Sequence, residues 1–359
     1  MKKWSFAPRA VALAFVLGVL SPAVALAAQF AYATIPGGNS VAVIDPATNT
    51  VTATVPVGPG PFAVAASPDG ALVYVGNTGD GSLSVIATAT NTVAAVLPGV
   101  GTQSSIAFSP NGAFIYISRS STDVVEVRDA STNAVVATVP VGDSPQGLSV
   151  TPNGAFVYVA NQGVFPQGTT VSVIDTATNT VAATVTVGSS PSATAVSPDG
   201  ASVYVPNGNS QTVSVIATAT NTVTATISGF QNPRGVAFSP NGAFAYVVTQ
   251  STTGGIAAID TTTLTVVNSP PIFQTESGIA VTPDGAFIYL PGLFGIQILD
   301  TATNTFGTPI PESAVRIAIV PAAPGPTSKD QGKNGGWMTF TNPSFNNQGD
   351  CIKYVKHLP

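Results

Sequence analysis

The sequence predicts an all-β protein, a seven-bladed β-propeller with four antiparallel strands per blade. Three observations predict it. A unit of 40 to 46 residues recurs along the chain, each copy carries two turn motifs between short runs rich in Val, Ile, Thr and Tyr, and the two ends of the array are complementary parts of one further copy. The first motif, "SPDG" or a variant, has its third residue at Asp69, Asn111, Asn153, Asp199, Asn241 and Asp284, with spacings of 42, 42, 46, 42 and 43. The second, "ATNT" or a variant, recurs around Asn49, Asn91, Asn133, Asn179, Asn221, Leu264 and Asn304, with spacings of 42, 42, 46, 42, 43 and 40. A period of this length with several short strands per unit is the signature of propeller blades.

Residues 146–187 show the anatomy of one unit. "QGLSV" alternates as a first strand, "TPNG" supplies a hairpin turn of the Asn-Gly type, and "AFVYVAN" is the second strand. "TVSVID" is the third, "TATNT" the second turn, and "VAATVTV" the fourth. Their β-branched and aromatic residues suit a pleated, half-buried surface.

Counting by strand type closes the ring. The first type occurs in six full units and again as an orphan at 315–320, while the second occurs in the same six units and as an orphan "FAYATI" at 30–35. Pairing the two orphans completes a seventh blade and removes the open sheet edge that a linear array would present. Tyr32, Tyr74, Tyr116, Tyr158, Tyr204, Tyr246 and Tyr289 hold the same place in the seven second strands, which reads as packing between neighbouring blades.

The chain divides into a leader (1–27), the propeller (28–323) and a tail (324–359). The leader has a basic start, an apolar stretch "AVALAFVLGVL" and a small-residue exit ending Ala25-Leu26-Ala27. This is the layout of a cleaved secretory signal, too short in its apolar part to span a bilayer comfortably, with cleavage expected near Ala27-Ala28. The mature chain is therefore expected to be an exported, soluble monomer, periplasmic, surface-bound or secreted, with no transmembrane segment. Without Lys2, Lys3 and Arg9 it carries eight basic residues against sixteen acidic ones, and no basic stripe, which argues against a nucleic-acid binder working by phosphate neutralisation. Charged residues make up only 8% while Gly and Pro number 35 and 30, a balance that fits many short strands joined by tight turns. The single cysteine, Cys351, excludes an internal disulfide framework.

The units resemble the YVTN-type propeller repeat, whose pattern "P.GVAVSPDG..VYVAN...TVSVIDTATNTVVATVPVG" they match over 30–321. The resemblance implies a shape similar to WD40 propellers and a place in export compartments or surface layers. It leaves function open, because relatives of this type include binding proteins, surface-layer proteins and a few enzyme-like members.

Little in the propeller offers catalysis. The Asp/Asn alternation at the first turn is compatible with a turn-forming role and not with acid–base chemistry. Asp45, Asp129, Asp175, Asp260 and Asp300 at the ends of third strands also read as turn caps. The only histidine, His357, lies in the tail, so the ring lacks an imidazole for metal, haem or general-base work. No tryptophan lies between 28 and 323, which removes the repeated tryptophan motifs of quinone-binding propellers. No cofactor, metal or catalytic residue is expected.

Departures from the repeat point instead to binding. With alternating strand directions, the connections from second to third and from fourth to first strands share one face. That face carries Arg119, Asp123, Asp143, Arg234, Glu276 and Arg316, together with the inserted loop "NQGVFPQGTT" that includes Phe165 and Gln167. Arg119, Phe165, Gln167, Arg234, Glu276 and Arg316 are the candidate binding residues, with a protein or an envelope polysaccharide as partner. Glu126 and Arg128, two apart on one strand, read as a structural pair. The leading expectation is a non-catalytic binding or scaffold module; the alternatives are a lactonase-like hydrolase and a structural surface-layer component. The tail resembles a short module, "SKDQCKNGGW…NQGDC", in which two cysteines bracket an aromatic segment; here Gly332 holds the first cysteine position and Cys351 lacks that partner.

Overall fold

The computed structural model describes residues 30–164, 167–250, 255–268 and 278–321. They form 28 strands in seven four-stranded antiparallel sheets, and among the described residues the only helical turn is the 3-10 segment Pro36–Gly38. The leader, the tail with Cys351 and His357, and the candidate residues Phe165 and Glu276 lie outside the described residues. Blade 1 contains Ala31–Ile35, Ser40–Asp45 and Thr50–Pro56, with Ile317–Ile319 as its first strand. Blades 2 to 7 follow in chain order over 61–97, 103–140, 145–186, 195–228, 233–268 and 280–306.

The two orphan strands meet as expected. Ile317–Ile319 pairs with Ala31–Ile35 in the register Ala31↔Ile319, Tyr32↔Ala318, Ala33↔Ile317. Backbone bonds Thr34 N to Arg316 O (2.9 Å), Val315 N to Thr34 O (3.1 Å) and Val320 N to Phe30 O (2.9 Å) lengthen the ladder at both ends. The first strands of successive blades touch one another around the ring, so they are the innermost.

Among the described residues the apolar core is divided, each seam between blades having its own cluster. Val41, Val43, Tyr32 and Val320 of blade 1 pack on Val73, Val75 and Ile86 of blade 2. Ala31, Ala33, Ile44 and Ile317 of the same blade pack on Tyr289, Ile296 and Ile298 of blade 7. The alternation of the strands presents one apolar row to each neighbour.

A polar latch reinforces several seams. The hydroxyl of Tyr74 donates to Asn133 Oδ1 (2.8 Å) and that of Tyr158 to Asn221 Oδ1 (2.6 Å), in each case on the next blade. Tyr32 bonds Asn91 and Tyr289 bonds Asn49 in the same way. These asparagines serve twice. Each sits at positive φ, 51° to 59°, in the turn between third and fourth strands, a conformation Asn tolerates better than other non-glycine residues. Leu264 holds the equivalent place at φ 57°, where it has neither that tolerance nor an acceptor to offer Tyr204.

The first turn explains the Asp/Asn interchange. In all six copies Oδ1 of Asp69, Asn111, Asn153, Asp199, Asn241 or Asp284 accepts the backbone N–H two residues on, at 2.9 to 3.1 Å. That atom is common to both residue types. The turn then ends on a glycine at φ 71° to 75°.

Two measurements test this architecture. Removing residues 314–359 deletes the closing strand, so aggregation or a large loss of melting temperature is expected. Removing only 325–359 should leave thermal unfolding almost unchanged, and equal damage from both would show that closure lies elsewhere. The second measurement concerns alkali. Burial raises the phenol pKa of Tyr32 and of Tyr158 from 10.0 to about 12. The folded value exceeds the unfolded one, so this contribution is complete below pH 10 and is lost as pH rises toward about 12. Denaturant midpoints should fall steeply across that window, in step with tyrosinate absorbance. Tyr74→Phe should lower stability at neutral pH by about 1 kcal/mol through loss of its latch.

Candidate functional site

Strand alternation gives the ring two unlike faces. The turn face carries the "SPDG" and "ATNT" turns; the connection face carries the links from second to third and from fourth to first strands. On the turn face the carboxylates are engaged by the backbone. Asp129 Oδ1 accepts from the N–H groups of Ser131 and Thr132 and from both their hydroxyls, which together hold its pKa down at about 2. Hydrogen bonds likewise lower Asp199 (Ser197 hydroxyl first), Asp284 (Thr282 hydroxyl first), Asp260 and Asp300 (the N–H of Thr263 and of Thr303 first). Carboxylates held ionised this way are poor proton donors near neutral pH. Among the described residues, no group of three or more His, Cys, Asp or Glu is placed to hold a metal ion.

The structure ties Arg119 inward. Its Nη1 lies 3.1 Å from Glu126 Oε2, while Arg128 Nε donates to Glu126 Oε1 at 2.5 Å and Arg128 Nη1 to Asn133 O at 2.7 Å. Glu126 is 5% exposed, Arg119 22%. The backbone of Gly101 lies against the guanidinium; a Cβ there would come within 2.7 Å of Nη2. The reason for this arrangement is visible by superposing the repeat. Arg119 stands where blades 2, 4 and 5 have Asn77, Asn161 and Asn207, and Glu126 where they have Ser84, Ser172 and Ser214. In those blades each asparagine amide donates to the serine hydroxyl at 2.9 Å. Blade 3 therefore replaces a neutral pair by an ionic one, and Arg128, in the place of Ile86, Ile174 and Ile216, supplies the second cation.

Two arginines remain at the inner rim of the connection face. Arg234 is the second residue of the first strand of blade 6, Pro233–Phe238; its carbonyl accepts the Ser192 hydroxyl at 2.8 Å, and its Nε is buried with no hydrogen-bond partner among the described residues. Burial lowers its pKa from the ordinary value. The Arg316 guanidinium lies 4.7 Å from the centroid of the Phe62 ring on the neighbouring blade. Gln167 is exposed and folds its loop back on itself by donating to Val164 O at 3.1 Å.

Charge and irregularity in the repeat brought the arginines to notice, but not the apolar residues beside them. Phe294, Leu293 and Val164 are 73%, 55% and 76% exposed, all on connections of this face. Leu293 and Phe294 sit on the tip "GLFG" between the second and third strands of blade 7. The turn face is not uniform around the ring. Because the fourth strand of blade 7 is only Thr305–Phe306, a cavity of 710 Å³ opens between blades 7 and 1 beside Asn49, Phe287, Asp300 and Glu312.

The comparisons agree with this architecture. Residues 153–254 match the family described as YNCE-like beta-propeller. A solved structure of Kuenenia stuttgartiensis hydrazine synthase is similar at TM-score 0.68 and 22% identity, over 74% of this chain and 91% of that one. A protein of unknown function from Desulfotomaculum acetoxidans is similar at TM-score 0.70 and 16% identity, over 81% and 98%. Comparison with curated protein sequences gives no match. The chain has the β-propeller fold. At these identities the structural likeness shows the fold alone. No helix among the described residues is long and apolar enough to cross a membrane.

The blade 3 ion cluster makes a sharp prediction. Glu126→Gln leaves two inward cations without a counter-charge and is expected to cost about 3–5 kcal/mol in chemical denaturation. The triple variant Arg119→Asn, Glu126→Ser, Arg128→Ile, which writes the blade 2 residues into blade 3, should stay within about 1 kcal/mol of the parent or exceed it. A triple variant as unstable as the single one would mean the ions do more than substitute for the neutral pair.

Proposed function

We propose that the protein is an exported, non-catalytic binding module whose partner, a protein, docks on the connection face. The observation that carries this reading is the coincidence on one face of the exposed Phe294, Leu293 and Val164 with Arg234 and Arg316. Aromatic and arginine side chains are enriched in protein interfaces, and arginine adds a planar donor fork for carboxylate or carbonyl groups. The apolar tips favour a protein over a polysaccharide, whose hydroxyl-rich surface would leave Leu293 and Phe294 poorly matched. Asymmetry supports the same choice of face, since specificity needs features that the other blades do not repeat. The order of basic, apolar and small residues in 1–27 supports export.

The backbone-bonded state of the turn carboxylates supports a non-catalytic role. Their first acceptor oxygens are spent on turns.

Immobilised protein and an envelope extract test the reading. Arg234→Ala with Arg316→Ala, and separately Leu293→Ser with Phe294→Ser, should each reduce capture of the retained partner about tenfold or more while leaving the melting temperature within a few degrees. Asp69→Asn with Asp199→Asn, on the turn face, should change neither. Loss of capture in the turn-face variant with retention in the other two would place the partner on the wrong side for this proposal.

A further inference from the structure

The seam between blades 6 and 7 is built like the latched seams but stands open. Tyr246 occupies the place of Tyr32, Tyr74, Tyr158 and Tyr289, and Asn304 that of their acceptors, with the same left-handed φ of 55°. No hydrogen bond joins them. A cavity of about 180 Å³ lies there instead, walled by Phe244, Ile256, Val267 and Leu299 and bordered by Tyr246 and Asn304. Tyr246 is correspondingly half-buried, whereas the other six tyrosines of the series are buried.

We propose that this seam is a binding site for a small neutral amphiphile, a single ring or an equally compact aliphatic body bearing one hydroxyl or carbonyl. The size follows from the volume, since an engineered cavity of about 150 Å³ lined by aliphatic and aromatic side chains takes up benzene. The polar group follows from the open latch. The Tyr246 O–H is a donor and the Asn304 amide offers both a donor and an acceptor, so one hydroxyl inserted between them restores what four other seams achieve directly. The neutrality follows from the walls. Among the described residues no charged side chain lines the cavity, so a carboxylate or ammonium entering it would lose hydration without compensation from them. Burial raises the phenol pKa of Tyr246, which keeps it a neutral donor throughout the physiological range. This site lies away from Arg234 and Arg316 and does not depend on the docking face proposed above.

Phenol and toluene are suitable probes, being similar in size and differing in the hydroxyl. Ligand-observed NMR on the full chain is expected to show saturable phenol binding with a dissociation constant on the order of 1 mM, and toluene binding about tenfold more weakly. Tyr246→Phe and Asn304→Ala should each bring phenol down to the level of toluene. Val267→Trp, which fills the cavity from its exposed edge, should abolish both. Absence of saturable phenol binding, or phenol binding unchanged in Val267→Trp, would overturn the proposal. So would a melting-temperature loss in Tyr246→Phe equal to that in Tyr74→Phe, because the latch would then be closed in solution.

Discussion

Everything in this molecule depends on the pairing of Ile317–Ile319 with Ala31–Ile35. A blade cannot bury its apolar rows by itself; it needs a neighbour on each side. Only a closed ring gives every blade two neighbours. The bond between Thr34 and Arg316 joins residues 282 apart in sequence, and closing a loop of that length costs on the order of 5 kcal/mol of chain entropy. A three-residue ladder alone is a weak answer to that cost. The closing strand also buries Ile317 against blade 7 and Val320 against blade 2, so it contributes to two seams at once. Buried side chains of this kind are worth about 1.5–3 kcal/mol each, so the two together are comparable to the entropy of closure.

The fold was almost entirely legible in the sequence, because repetition acts as an internal alignment. The interchange of Asp and Asn at one turn position, the fixed place of seven tyrosines and the two orphan strands each had a single structural meaning. The partner of the tyrosines was not legible. Asn91 and Asn133 appeared only as turn residues, and nothing in their spacing announces that the same side chains accept hydrogen bonds across a seam about sixty residues away.

The site was legible in part, for a physical reason. Charge stands out in a chain with so few charged residues, so the arginines were found. Whether an arginine faces outward is decided by its neighbours in space. Arg119 is bound to Glu126 because blade 3 exchanged two positions together, asparagine with serine for arginine with glutamate. Comparing the second and third strands of blade 3 position by position with those of blade 2 would have exposed that exchange. Leu293 and Phe294 escaped notice because apolar residues in a strand-rich sequence look like core until a loop is seen to carry them outward. Phe165 and Glu276 lie outside the described residues.

The position of the closing strand also has a kinetic meaning. The edge of Ala31–Ile35 that it covers belongs to the first blade made, whereas the covering residues come some three hundred positions later. A ribosome that delivers the chain from its N-terminus therefore presents a string of partly assembled sheets, none locked, until Ile317–Ile319 emerges. Long-range pairings of this kind form slowly. The same geometry that makes the finished ring hard to open keeps the unfinished chain threadable.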